Sequence, residues 1–547
     1  MRSESRKFVF CCAVALLGIL QSPSVWGQNL ATGSNEVLIN DINKYIRQGW
    51  EDNEVKPSPQ ATDAEWCRRV YLDIVGHIPP VDELQEFLKD SDPAKRSKLI
   101  AKLIDHPDYI RNWTTIWTNV SIGRVDDPLI SRLGMNKFYR EVFAQNRPWN
   151  EVVYDVLTAE GHFEQNGAVN FILAQLPEQY DEAVQLTGNF SRLFLGSQVQ
   201  CTQCHDHPFN KWKQNQFWEL NTFFRQVRRM DYEKYDPDSG RMVEDYSEVV
   251  WRNIPVGQEV VFYERRDGLV KPAFPIYNGV EIDDDGELNR REELGKLLRA
   301  DEDKSVARAA VNRMWGHFFG YGFTKPVDDM GPHNPASHPE LLERLTDEFV
   351  KSGYDMKQLV SWIANSEAYT LTSQFGSGNE IDNPGAGEIP LFSHLYVKSL
   401  EAEQLYDSLI IATNAHKAGR ANFEMAEAQR QEWMQRFVAA FGTTQDDETT
   451  TYNGSIPQAL MMMNGELVTN ACNCERGSFL HSVVTGPGND AMKIKTLYLA
   501  TLSREPSGRE ISMVENSFRQ AGPNGKIAAY QDLMWVLLNS NEFIVNH

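Results

Sequence analysis

Cysteine is scarce in this chain. Seven occur in 547 residues, and two of them, Cys11 and Cys12, lie in an N-terminal apolar run. The other five, Cys67, Cys201, Cys204, Cys472 and Cys474, are too few for a disulfide scaffold. Five is odd, so at least one thiol is buried or has another role. Basic residues are short as well: 54 Lys+Arg stand against 76 Asp+Glu, a formal net charge of −22. That balance argues against a nucleic-acid or anionic-membrane binder, since such partners are held by cations that release counterions. No window beyond the N-terminus is apolar enough to span a bilayer. The chain has no Gly-rich phosphate loop, no Gly-x-Ser-x-Gly and no His-Glu-x-x-His. Carboxylates are plentiful, but no pair stands out as a glycosidase centre.

What is present is globular. A hydrophobic content of 41% is enough for a large core, and the length suits two to four domains. Arg2, Arg6 and Lys7 precede an uncharged run from Phe8 to Leu20, and Val25-Trp-Gly27 offers small residues before Gln28. This reads as a signal peptide over 1–27, so the mature protein is expected in the periplasm or outside the cell. The run is too short for a membrane span. Residues 28–60 hold an amphipathic helix, Val37 to Trp50, and a polar linker.

From 61 to 229 the pattern is mostly helical. Between 230 and 285 it turns β-rich: stretches at 248–254 and 258–264 carry β-branched and aromatic residues, which predicts two to four short strands. Helical period returns over 286–547, broken by loops near 324–338, 373–390 and 442–456. The Gly/Asn/Asp-rich stretch from Gly376 to Glu388 reads as mobile. The fold is therefore mainly α: two helical domains with a small β-rich insertion between them. One echo recurs. Tyr71-Leu72, Pro79 and Glu83 return as Tyr498-Leu499, Pro506 and Glu510 with the same spacing. Helix endings at 103–109, 363–369 and 537–543 each close on an aromatic. A repeated helix pair, stopped by Pro and plugged by an aromatic, accounts for both.

The chemistry concentrates at 201–207, Cys-Thr-Gln-Cys-His-Asp-His. Cys-x-x-Cys-His is the attachment pattern of haem c: two thiols one turn apart add to the vinyl groups, and the next His lies under the iron. A preceding amphipathic helix, Glu182 to Gln198, would deliver the motif at its end. Phe209, Trp212, Phe217, Trp218, Phe223 and Phe224 could wall an apolar pocket. Three other readings stay open. Some of Cys201, Cys204, His205 and His207 could hold a metal. Cys472 and Cys474 could complete a four-thiolate zinc site with Cys201 and Cys204. Cys201 and Cys204 could form a disulfide. A distal iron ligand would come from His317, Met330, His333 or His338, or the sixth position is open. The stretch Glu281 to Glu292 follows the calcium-loop spacing, yet it begins on Glu and no helix precedes it, so it reads as an acidic loop rather than a calcium site.

Several segments together resemble a large family of secreted bacterial proteins best known from planctomycetes. They are Arg68 to Pro80, Phe194-Leu-Gly with Cys201 to Phe209, Val311 to Gly320, Pro326-Val-Asp-Asp, Ser337 to Leu342, Leu400 to Gln404 and Leu537 to Phe543. That family pairs a cytochrome-like N-terminal domain with a planctomycete-specific C-terminal domain, and its function is unassigned. The resemblance implies that His207, His317 and His338 belong to recurring motifs. Relatives often carry a separate haem domain, for which residues 28–60 are too short. The Cys472/Cys474 pair is not part of the family pattern. The resulting expectation is an exported c-type haem protein in redox or electron transfer, with Cys201, Cys204 and His205 as attachment residues and a redox partner protein. The alternatives are a metal-containing or haem-free protein that binds or degrades extracellular polymers, and a helical partner-binding scaffold.

Overall fold

A computed structural model describes residues 25–124, 127–176, 182–252, 260–282, 288–418, 423–441 and 456–547. The signal-peptide run, most of residues 1–27, and the centre of the acidic 281–292 loop lie outside these. The chain is mainly helical, 58% helix and 9% strand, with small antiparallel sheets in the middle.

The first helix, α1 (Val25–Asp52), is longer than its apolar stripe. Leu38, Ile42, Ile46 and Trp50, spaced by four, are its buried side. Helices α2 (Asp63–Val75), α3 (Val81–Lys89), α4 (Lys95–Ile104) and α5 (Pro107–Ile122) follow. Every residue of α2 from Trp66 to Val75 is buried, including Cys67, Arg68, Arg69 and Asp73. Burial, reinforced by the Glu83 and Asp63 carboxylates and only partly offset by Lys95 and Lys102, holds the Cys67 thiol above its usual range.

The β region exceeds the expectation of two to four short strands. Among the described residues, six strands lie between 227 and 281. Strands β2 (Val227–Asp236) and β3 (Arg241–Trp251) form a long hairpin, and β1 (Gly161–His162) pairs with β3 to give the order β1-β3-β2. The outer half of β2 is exposed on both faces, so its sequence carries no inside-outside alternation to read. Strands β4 (Val261–Glu264) and β5 (Val270–Ala273) make a second hairpin, and β6 (Ile276–Tyr277) pairs with β7 (Val280–Glu281). Far along the chain, β8 (Lys398–Ser399) pairs with β9 (Val545–Asn546) and ties the C-terminus back.

Buried apolar residues form three clusters. The largest runs from Leu38 to Tyr396 and adds Leu499. The second runs from Ala402 to Phe543 and takes Leu72 and Ile78 from the N-terminal region. The third is small: Val199, Phe217, Trp218, Val261, Tyr263 and Ala273. Helix α2 joins the first two. Arg68 donates to the carbonyls of Thr501 (3.0 Å) and Phe543 (2.8 Å), while Arg69 donates to those of Tyr369 (2.7 Å) and Leu371 (2.8 Å). Asp73 accepts from Lys398 Nζ (2.7 Å), Tyr369 Oη (2.6 Å) and Asn546 Nδ2 (2.7 Å). Buried charge of this kind persists where hydrogen bonds offset its desolvation, although Arg68 Nε and Arg69 Nε have no partner.

The stretch from Gly376 to Glu388, which reads as mobile, is pinned at its centre. The Asp382 carboxylate is fully buried and accepts from the Leu391 and Ser393 amides (2.8 Å each) and the Ser393 hydroxyl (2.6 Å).

Candidate functional site

The approach to the motif is a helix, Val184–Phe190, that widens into a π turn, Ser191–Leu195, and stops at Gly196 in the left-handed region (φ 66°). It is shorter than the predicted 182–198. The left-handed backbone favours glycine there, and a Cβ would also push on the end of the Met330 side chain. Leu186, Phe190, Leu193 and Phe194 are buried as the pattern predicts.

The chain then turns through a 3₁₀ segment, Gln200–Gln203. Thr202 points inward and donates to the Val199 carbonyl (2.5 Å), so Cys201 and Cys204 are left facing solvent as free thiols. Behind the turn, the Gln203 carbonyl accepts from Trp218 Nε1 (3.0 Å) and Gln214 Nε2 (3.1 Å). Gln214 Nε2 also reaches the Glu264 carbonyl of β4 (2.9 Å), which locks the turn to the β4–β5 hairpin.

The two histidines of the motif differ in their tautomers. His205 Nδ1 lies 2.7 Å from the Asp206 carbonyl. A carbonyl only accepts, so Nδ1 carries the proton and Nε2 keeps its lone pair. That is how a metal-ligating imidazole is oriented in general. His207 is the reverse. Its Nδ1 accepts from the Phe209 (3.2 Å) and Asn210 (3.0 Å) amides, so the proton sits on Nε2 and the ring closes a turn. Burial and the neighbouring His333 hold its pKa below the usual value. Asp206 accepts from Lys213 Nζ (3.1 Å) and the Gln214 amide (3.0 Å), and this amide and the lysine lower its pKa.

A loop from the C-terminal half closes one side. The His207 and His333 rings stand 5.4 Å apart. His333 Nε2 pairs with Asp329 Oδ2 (3.0 Å), while Nδ1 has no partner and lies against Gly331, where a Cβ would come within 2.9 Å. Asp328 accepts from Gln198 Nε2 (2.9 Å) and faces Arg192 (3.5 Å), and the Met330 amide donates to the Gly196 carbonyl (2.8 Å). Of the four distal candidates, His333 and Met330 therefore lie against this region.

His317 and His338 have other surroundings. His317 Nε2 donates to the Asp73 carbonyl (2.9 Å), and its ring lies 4.8 Å from Trp113. Burial and the Lys398 ammonium push its pKa down to about 4. His338 packs between Phe323, Phe392 and Gly49, with Nδ1 3.0 Å from Ser337 Oγ, and burial lowers it to about 4. Cys472 is in the second core, where burial pushes its thiol up to about 12, and Cys474 packs beside that core. Among the described residues, no three or more His, Cys, Asp and Glu side chains are grouped to hold a metal ion, so the four-thiolate set is not assembled.

The aromatics after the motif do not wall a pocket. Phe217 and Trp218 fill the third cluster, Phe223 and Phe224 the first, and Trp212 packs at the edge of the third. Phe209 alone stands out, 79% exposed. Sequence reasoning missed the Asp329–His333 pair and the packing of the 258–264 strand behind the turn. The four-residue spacing of Asp329 and His333 was the only local signal for the pair.

Residues 41–229 match the family model PSCyt2, a protein of unknown function (DUF1549), and residues 290–518 match PSD1, a protein of unknown function (DUF1553). The chain carries a DUF1549 domain and a DUF1553 domain. Neither has an assigned function. The Cys201–His207 turn lies within the DUF1549 match and the Asp328–His333 loop within the DUF1553 match, so the His207–His333 contact joins the two. The β2–β7 strands fall almost wholly between the matches. No curated protein and no solved structure matches the chain. No described helix is long and apolar enough to cross a membrane.

Proposed function

We propose that this DUF1549–DUF1553 chain is an exported c-type haem protein of the redox or electron-transfer class. Cys201 and Cys204 would carry the thioether bonds and His205 the axial nitrogen. Bound there, haem would supply a one-electron iron couple. The observation that carries the reading is the donor set: two solvent-facing thiols in one turn, followed by an imidazole whose Nδ1 proton is fixed on a carbonyl and whose Nε2 lone pair is free. His207 holds the turn and would not bind iron, because its Nδ1 is occupied by two amides. His317 and His338 act within the cores.

The test is export of the full chain from a host carrying the c-type attachment machinery, followed by intact mass and a reduced pyridine haemochrome spectrum. One added haem, lost in Cys201→Ser, is expected. In His207→Gln the haem stays attached, while His205→Met changes the axial-ligand spectrum. An apoprotein mass, with the thiols free or joined to each other, overturns the reading.

A further inference from the structure

The Cys201–His207 turn is closed behind and open in front. Behind it, Trp218 Nε1 and Gln214 Nε2 donate to the Gln203 carbonyl, and Gln214 reaches on to β4. The helix Gln214–Thr222 and β4 carry no His, Met, Cys or Lys, and their one tyrosine, Tyr263, fills the third cluster. In front, Cys201 and Cys204 face solvent. A second axial donor for iron would therefore come from the turn itself or from the loop of residues 328–334, whose His333 ring stands against His207.

That loop brings two such side chains, Met330 and His333, and both are committed elsewhere. The Nε2 proton of His333 is held by Asp329, and its Nδ1 is shut off from solvent against Gly331. Turning the ring toward iron would strand the Asp329 carboxylate, whose Oδ1 already lacks a partner. Met330 Cε seats against Gly196, where a Cβ would come within 2.3 Å of it, and the Met330 amide is tied to the Gly196 carbonyl. Swinging this side chain out would leave a void where its methyl group packs. Within the turn, His207 Nδ1 accepts two amides, so its Nε2 carries the proton and has no lone pair to give. Lys213 is paired with Asp206, and an ammonium has no lone pair either. His317 and His338 are partnered in the cores.

On the basis of haem held at Cys201, Cys204 and His205, we propose that no side chain of the turn or its neighbours ligates iron opposite His205. The sixth position takes a small exogenous ligand from solvent: a neutral diatomic molecule on ferrous iron, a small anion on ferric iron. Cytochromes c that only carry electrons fill both axial positions with protein donors, and access to an unfilled one is what permits ligand binding. The chain is then a ligand-binding haem protein within the redox class.

The test uses the full chain exported with haem attached, its load fixed by intact mass. The oxidised protein is expected to be high-spin and to turn low-spin on adding cyanide. The reduced protein is expected to bind carbon monoxide in one phase whose rate rises in proportion to the gas concentration, because no internal ligand has to leave first. Met330→Leu and His333→Gln leave the spectra and the rate unchanged. A low-spin oxidised spectrum without added ligand, a carbon monoxide rate that levels off with concentration, or a change of spin state in either variant overturns the proposal and leaves the haem assignment standing. An apoprotein mass overturns both.

Discussion

Two segments of the chain are built to one plan, and their differences show what position in the fold imposes. The first is α2 with the two helices after it. The second is the helix Asp490–Leu502 with Gly508–Leu538, which is interrupted at Gly522 by a non-helical residue. Both leading helices have 13 residues. Thr62 and Asn489 cap them through the Glu65 and Met492 amides. Gly76 and Ser503 end them in the left-handed region. Each segment closes on an acid and a buried aromatic: Asp108 and Tyr109, Glu542 and Phe543. The acid is held by the residue next after the left-handed cap, His77 at 3.2 Å in the first segment and Arg504 at 2.6 Å in the second. Inside the molecule a small imidazole, 3% exposed, shares this work with Arg111 (2.9 Å); at the edge an Arg, 35% exposed, bridges Glu510 and Glu542. The first segment also carries Arg68, which donates into the closing turn of the second. One plan therefore serves as a hub in one place and as a rim in the other.

The sharpest way to break this contrast is Arg68→Ala. It strands the Thr501 and Phe543 carbonyls and should cost about 3–5 kcal/mol in urea denaturation. Arg504→Ala, at the partly exposed site, should cost about 1 kcal/mol. Equal losses would mean that hub and rim are not different. Gly76→Ser comes next. It adds left-handed strain and places a Cβ 2.4 Å from Asn112 Oδ1, for about 2–3 kcal/mol.

Acid should weaken the hub before the rim. His317, against the Asp73 carbonyl, is held near 4, well below the usual value of about 6.5, so the unfolded chain binds the extra proton. Its stabilisation is full above about pH 6.5 and is lost as pH falls toward about 4. Glu510 is held down to about 2, chiefly by Arg504, so the rim keeps its ion pair through that range. His317→Gln should flatten the stability-against-pH slope between those limits by about one proton. An unchanged slope would remove His317 as the cause. The smallest effect is Ser503→Gly. It relieves left-handed strain and an unpaired buried hydroxyl, and should leave stability unchanged or raise it by up to about 1 kcal/mol.

Much of this was legible in the chain. The α1 stripe, the endings on Tyr109, Tyr369 and Phe543, and the turn at Cys201 follow from local spacing, and all three aromatics are buried. Of the hairpin β2–β3 only the inner end of β3, from Glu248, was legible, because the outer half buries nothing. The aromatics from Phe217 to Phe224 read as a pocket wall because apolar residues look alike before their neighbours are known. His205 and His207 look equivalent in sequence; their hydrogen bonds separate them.

By itself the sequence determined the helical class, the repeated helix plan and the thiol–imidazole turn, since each rests on residues within one or two helical turns of one another. Only the tertiary structure decided that Arg68 and Arg69 are ties between cores, that His317 and His338 are partnered away from the motif, and that His333 meets His207. Apart from that of His338, these pairings join residues more than a hundred positions apart. Their energies come from desolvation and from which carbonyl happens to lie opposite, and no local pattern records either.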